Sequence, residues 1–263
     1  MPLCHCSFFA YTLQTTTSVL VYIPSPKRSE SADISLDERY PDGCRHKLLY
    51  LLHGMYEDET TWLRKSNIER YAEEKQLAVV MPSVQNSYYT DLPHGPQYFS
   101  FLTEELPRFV CSLFPLSRRR EDTFIAGLSM GGYGACKAAF LRPDLYSAFA
   151  SLSGAVDISL IGQYASNEER RLYEGVFGPV PDAPGGKDDL FAIAENLHKL
   201  GGCPPEGYIA CGTDDKLCLP MNRKLRDCME KCGFVFHYTE RSGSHEWNFW
   251  DSQIQTVLNW LPL

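Results

Sequence analysis

Short apolar runs recur along the chain, each followed by a stretch whose apolar residues return every three or four positions. The runs at 47–52, 77–81, 123–126, 149–153 and 208–211 are continuous, and 234–238 follows as a last short one. Continuous runs of this length predict strands buried on both faces, as in a parallel sheet. Between them, Ile68, Tyr71, Ala72 and Lys75 keep a helical period, as do Phe99, Leu102, Leu106, Phe109, Val110 and Leu113. Pro107 inside the second set predicts a bend and not an end. Further helices are expected over 133–141, 168–176, 190–200, 220–232 and 249–261. Two segments differ: 5–12 and 17–23 alternate polar residues with aromatic and β-branched ones, the pattern of an antiparallel strand pair with its turn near 14–16. The alternation of strands and helices predicts one α/β domain over 1–263, with a mostly parallel central sheet, an antiparallel N-terminal pair and helices on both faces. The polar stretch 25–45 reads as a surface loop. From 155 to 206 the pattern breaks up around Pro179, Pro181, Pro184, Gly185 and Gly186, which predicts a small inserted cap.

Composition narrows the classes without choosing among them. A chain of 263 residues with 44% hydrophobic and 22% charged residues suits a single globular domain. Its net charge of -8 argues against a nucleic-acid partner, which needs a basic face. No apolar run is long enough to span a bilayer, and Met1–Cys6 lacks the basic stretch and apolar core of a secretory signal. The ten cysteines are scattered, with no Cys-x-x-Cys pair. They read as free thiols in a reducing cytoplasm. A metal site from Cys4, His5 and Cys6 is disfavoured because neighbouring strand residues point to opposite faces, so neither metal nor cofactor is expected. Tyr, Trp and Met side chains would serve a homo-oligomer interface as readily as a substrate.

The chemistry concentrates at Gly127-Leu128-Ser129-Met130-Gly131, a G-x-S-x-G pattern between an apolar run and a small-residue helix. A serine on a sharp strand-to-helix turn has a strained backbone, an exposed hydroxyl and a neighbouring N–H aimed at a reacting carbonyl. That N–H belongs to Met130. The run 47–52 ends in His53-Gly54-Met55, where a second oxyanion donor belongs; Met55 N–H, or a neighbour in the loop, fits. His53 itself reads as a brace for that loop. The run 208–211 ends in Gly212-Thr213-Asp214-Asp215, and the loop after the last strand holds Ser242-Gly243-Ser244-His245. The order Ser129, Asp214 or Asp215, then His245 is that of an α/β hydrolase triad. The other histidines fall on an edge strand, loops, a helix or a strand interior and fit a base less well. Trp62, Tyr88, Tyr89 and Trp247 are the aromatic candidates for binding an acyl group, an alcohol or a sugar ring.

The segments 127–135, 53–55, 67–71, 89–91, 105–107 and 245–251 together resemble the tributyrin esterase and acetyl esterase branch of the putative esterase (esterase D-like) family. The resemblance covers most of the chain. It implies an α/β-hydrolase fold and hydrolysis of short-chain acyl esters, with Ser129 as nucleophile, His245 as base, and Met55 and Met130 as oxyanion donors. The family's acid segment resembles Gly-Thr-Glu-Asp-Phe-Leu and so falls on Asp215. Two departures stand out: Lys216 replaces a Phe after the acid, and Ser242-Gly243-Ser244 replaces Pro-Gly-Gly before the histidine. Relatives in such a family include esterases acting on acetylated sugars, feruloyl esterases and S-formylglutathione hydrolases. Deacetylation of oligosaccharides such as xylo-oligosaccharides is the expectation within the esterase class. A thioesterase, a feruloyl esterase and a non-catalytic sugar-binding relative are the alternatives.

Overall fold

The computed structural model describes residues 2–25, 35–39, 41–164, 166–178, 185–202 and 204–263. Eight strands form one sheet: β1 (Leu3–Ala10), β2 (Thr15–Tyr22), β3 (Leu48–Leu52), β4 (Ala78–Pro82), β5 (Thr123–Leu128), β6 (Ala148–Leu152), β7 (Glu206–Gly212) and β8 (Phe236–Arg241). Their spatial order is β1-β2-β4-β3-β5-β6-β7-β8. The β1–β2 and β2–β4 pairs are antiparallel, and every pair from β4 to β8 is parallel. The helices are α1 (Leu36–Arg39), α2 (Thr61–Lys65), α3 (Ile68–Glu74), α4 (Tyr98–Ser100), α5 (Leu106–Leu113), α6 (Met130–Leu141), α7 (Ile158–Tyr164), α8 (Asn167–Phe177), α9 (Leu190–Lys199), α10 (Cys218–Lys231) and α11 (Trp247–Trp260). This is the mostly parallel α/β arrangement expected from the pattern, and the α/β-hydrolase fold that the resemblance implies. No described helix is long and apolar enough to cross a membrane.

The continuous apolar strands split their side chains between two cores, because successive residues point to opposite faces. Leu48, Tyr50 and Leu52 of β3 join Ile125, Phe149 and Ile209 beneath α5, α6, α9 and α10. Leu49 and Leu51 join Phe124, Ala126, Ala148, Ala150 and Ala210 on the other face, covered by Trp62, by Ile68, Tyr71 and Ala72 of α3, and by α11. Helix α6 is buried over Met130–Phe140, Lys137 included. The Lys137 ammonium donates to Asp188 Oδ1 at 2.6 Å and to Thr90 Oγ1 at 2.8 Å. Tyr133 adds a hydroxyl bond to the Asp188 carbonyl at 2.8 Å. The segment between β6 and β7 is thereby tied to the helix behind Ser129. At its other end Lys224 of α10 pairs with the buried Asp157 at 2.6 Å, and Asn222 Nδ2 donates to Gly154 O at 2.8 Å.

Several boundaries differ from the sequence expectation for identifiable reasons. Strand β1 ends two residues early because the Glu105 carboxylate takes the Tyr11 and Thr12 N–H groups, each at 2.7 Å, out of the ladder. Helix α6 starts at Met130, three residues before the expected 133. Gly131 and Gly132 resemble breakers in sequence but are buried in its first turn. The bend expected at Pro107 takes the form of a π-helical turn, Phe101–Glu105, immediately before α5. Proline supplies no N–H for the preceding turn, and the wider π turn accommodates it. Pro179, Pro181 and Pro184 lie outside the described residues.

Candidate active site

The strand-to-helix turn at Ser129 is made by close packing. Ser129 sits at φ 52° and ψ −117°, a conformation that non-glycine residues adopt only when their surroundings impose it. A Cβ on Gly127 would lie 2.4 Å from the Gly131 backbone, and one on Gly131 would lie 2.5 Å from Leu52 O. Only glycines let α6 approach the ends of β5 and β3 so nearly. The first backbone bond of α6 runs from Tyr133 N–H to Ser129 O at 3.1 Å. The N–H groups of Met130, Gly131 and Gly132 precede it and have no helical acceptor. They lie at the positive end of the helix dipole, beside the β3 terminus from which Met55 follows.

The loop carrying Met55 is pinned on both sides of Gly54. His53 is buried, with Nδ1 2.7 Å from Gly54 O and Nε2 accepting Val84 N–H at 3.2 Å. These partners require the neutral ring with its proton on Nδ1, and burial lowers the pKa of His53 in the same direction. A trans peptide is planar, so fixing Gly54 C=O also fixes the opposite direction of Met55 N–H. On the other side, Gly54 N–H donates to Glu57 Oε2 at 2.8 Å. His53 therefore braces the loop and does not face Ser129.

Asp215 and His245 come from two loops that are zipped together. Thr213 N–H donates to Arg241 O at 2.8 Å, and Asp214 N–H to Gly243 O at 2.9 Å. A Cβ on Gly212 would meet Gly243 O at 2.3 Å. Asp215 is 3% exposed, whereas Asp214 is at the surface. Asp215 Oδ2 lies 2.7 Å from His245 Nδ1, and Oδ1 accepts Cys218 N–H at 2.9 Å. Burial alone would push this carboxyl up, but its bond and attraction to His245 and the Cys218 N–H hold it below the ordinary value. His245 Nε2 lies 3.0 Å from Ser129 Oγ, and its ring is braced edge-on by Trp250 at 4.9 Å between centroids. Ser129, His245 and Asp215 thus form one continuous hydrogen-bonded line.

The aromatic candidates do not all reach this site. Trp62 is 0% exposed, donates its indole N–H to Leu52 O at 3.0 Å and packs edge-on against Trp247 at 5.0 Å. It buttresses β3 and has no free face for a ligand. Tyr89 is also fully buried, its hydroxyl bonded to His53 O at 3.0 Å. Tyr88 is buried among Tyr133, Tyr173 and Phe177. Stacking of a sugar on Trp62, Tyr88 or Tyr89 is therefore corrected: the core consumes their rings. Trp247 remains half-buried, and Tyr56, unmarked in the sequence analysis, is 70% exposed beside Met55. Glu57 was also missed; its only signal is a carboxylate three residues after Gly54.

Among the described residues, metal-ligating atoms of three side chains converge only at Asp215, Cys218 and His245. The bonds of Asp215 to His245 and to Cys218 N–H account for that convergence. Cys4, His5 and Cys6 do not form such a group; His5 instead lies 3.2 Å from Glu59. All nine described cysteines are free, with Cys136, Cys211, Cys218 and Cys232 buried and Cys44 exposed.

The family described as Putative esterase matches residues 23–261. An acetyl esterase of Caldicellulosiruptor saccharolyticus is 32% identical over 270 residues, covering 99% of this chain and 98% of its own. Among solved structures, the substrate-bound fluorophosphonate-binding serine hydrolase FphF of Staphylococcus aureus is similar with a TM-score of 0.87 at 28% identity, covering 99% of this chain and 98% of that one. The S-formylglutathione hydrolase FrmB of the same organism gives 0.84 at 28% identity over 99% and 98%. The full-length matches agree with the fold and with the serine-centred geometry: the chain belongs to the putative esterase family and is a carboxylic ester hydrolase of the α/β-hydrolase type.

Proposed function

We propose that this protein is a serine carboxylesterase for short acyl esters, acting through Ser129, His245 and Asp215. The observation that carries the reading is the pair of contacts at 3.0 and 2.7 Å joining the three side chains. In this reading Ser129 Oγ attacks the ester carbonyl while His245 Nε2 takes its proton, and Asp215 holds the imidazole tautomer and balances the cation that forms. The N–H groups of Met55 and Met130 stabilise the tetrahedral oxyanion, each contributing about 3 kcal/mol. His245 then protonates the departing alcohol. Water, deprotonated by His245, attacks the acyl-enzyme, and Ser129 is regenerated.

Crowding beside the nucleophile favours a short acyl group. Tyr88 N–H lies 3.4 Å from Met130 Sδ, and Tyr173 OH lies 3.7 Å from Met55 Sδ. The Tyr88 ring packs against Tyr133, Tyr173 and Phe177 at centroid separations of 5.3 to 5.7 Å. Because Tyr173 and Phe177 belong to α8, we read 155–206 as a cap inserted into the single domain. On the alcohol side, exposed Tyr56 and half-buried Trp247 suit an acetylated oligosaccharide. The free thiols suit a reducing cytoplasm.

The likeness to FrmB favours a second reading, an S-formylglutathione hydrolase using the same residues. One panel separates the two. Initial rates are measured for the wild type and Ser129→Ala on p-nitrophenyl acetate, butyrate and octanoate, methyl ferulate, acetylated xylo-oligosaccharides and S-formylglutathione. The proposal expects loss of all turnover in Ser129→Ala, acetate faster than octanoate, and acetylated sugar at least as fast as acetate. Preference for the thioester by orders of magnitude would transfer the chain to the second reading. Turnover surviving in Ser129→Ala would overturn the triad.

A further inference from the structure

The Glu57 carboxylate joins two loops that the proposed mechanism uses separately. Its Oε2 accepts Gly54 N–H at 2.8 Å, and its Oε1 accepts Trp247 Nε1–H at 3.1 Å. Gly54 precedes the oxyanion donor Met55, and Trp247 lies two residues beyond His245. The space around Gly54 is filled: a Cβ there would lie 2.7 Å from Leu128 and 3.1 Å from Glu57 Oε2. Resting on the esterase reading above, we propose that Glu57 is a positioning residue that locks the Met55 loop to the His245 loop.

With Gly54 O held by His53 and Gly54 N–H held by Glu57, the peptides on both sides of Gly54 are fixed before any oxyanion forms. Such preorganisation is worth most in the transition state, where the negative charge develops. One carboxylate can accept from both donors at once; a carboxamide cannot, because its NH2 would face a donor. Burial raises the Glu57 carboxyl, while its bonds from Gly54 N–H and Trp247 Nε1–H act against that rise.

The test compares Glu57→Gln, Glu57→Asp and Trp247→Phe with the wild type. It uses kcat and KM on p-nitrophenyl acetate and hydrogen exchange at Gly54 N–H and Trp247 Nε1–H in the unreacted proteins. Glu57→Gln loses one acceptor and should lower kcat about tenfold or more with little change in KM, with faster exchange at one of the two donors. Glu57→Asp is too short to reach both donors and Trp247→Phe removes one of them, so each should also lower kcat at nearly constant KM, which keeps the test open even if Glu57→Gln does not fold. Wild-type kcat in both Glu57→Asp and Trp247→Phe, or wild-type exchange at both donors in folded Glu57→Gln, would overturn the locking role. Failure of the wild type to hydrolyse any ester would instead count against the esterase reading, with hydrogen exchange still deciding whether Glu57 holds both loops.

Discussion

Asp214 and Asp215 are neighbours with opposite fates. The turn after β7 sends Asp214 to solvent and buries Asp215 between His245 and the start of α10. Asp215→Asn should reduce kcat by about four orders of magnitude, since a carboxamide favours the wrong imidazole tautomer. Asp214→Asn should leave kcat within about threefold, as a surface substitution away from the bonded line. Single-turnover acylation of the two variants decides between them. The buried acid also has a signed pH dependence. Its folded-state carboxyl titrates below the unfolded value, so its stabilisation is fully present above the ordinary carboxylate pKa, about 4, and is lost as pH falls through the depressed folded value. The stability difference between wild type and Asp215→Asn in urea melts should therefore shrink as the pH falls through that window.

At the scale of elements, α6 and α8 divide the work around Ser129. Helix α6 supplies three leading N–H groups and a close glycine contact with β3; α8 supplies Tyr173 and Phe177, which fill the space beside Met55 and Tyr88. Shortening either aromatic should enlarge the acyl pocket. Phe177→Ala is expected to raise the octanoate-to-acetate ratio of kcat/KM by about tenfold, the discrimination that one or two methylenes give in an apolar pocket. An unchanged ratio would move the acyl pocket away from α8. The family segments also acquire physical roles at this scale. Tyr71 OH bonds to Asp251 Oδ2 at 3.1 Å and Asn67 N–H reaches Asp251 Oδ1 at 3.3 Å, fastening α3 to α11 behind His245. Asp91 Oδ1 accepts Ser100 N–H at 2.9 Å and sets the start of the 98–113 helix.

Across the whole molecule, the ion pair of Lys137 with Asp188 holds the segment between β6 and β7 against the central helix, with side-chain exposures of only 4% and 9%. Removing one partner leaves an uncompensated buried charge, so Asp188→Ala should cost about 3–5 kcal/mol, a fall in Tm on the order of 10 °C. Lys137→Met combined with Asp188→Leu should recover most of it, and thermal melts of the three proteins read the difference. Neither residue drew attention in the sequence, because a lysine in a small-residue helix looks like any solvated cation until the helix proves buried on every side. The same reason limited the aromatic residues: Trp62 and Tyr89 follow strands much as binding residues do, but the end of β3 and the His53 loop absorb their polar atoms. The strand and helix order, the parallel sheet, Ser129 on its turn and His245 after the last strand were legible from local pattern alone, since continuous apolar runs, glycine spacing and chain order are one-dimensional properties. Local pattern left Asp214 and Asp215 both open and only the resemblance pointed to Asp215, because the contact of Asp215 with His245 forms between two loops; tertiary structure alone decided that Glu57 bridges two distant loops and which aromatic rings stay exposed, because burial and hydrogen-bond partners arise from segments that meet only once the sheet has formed.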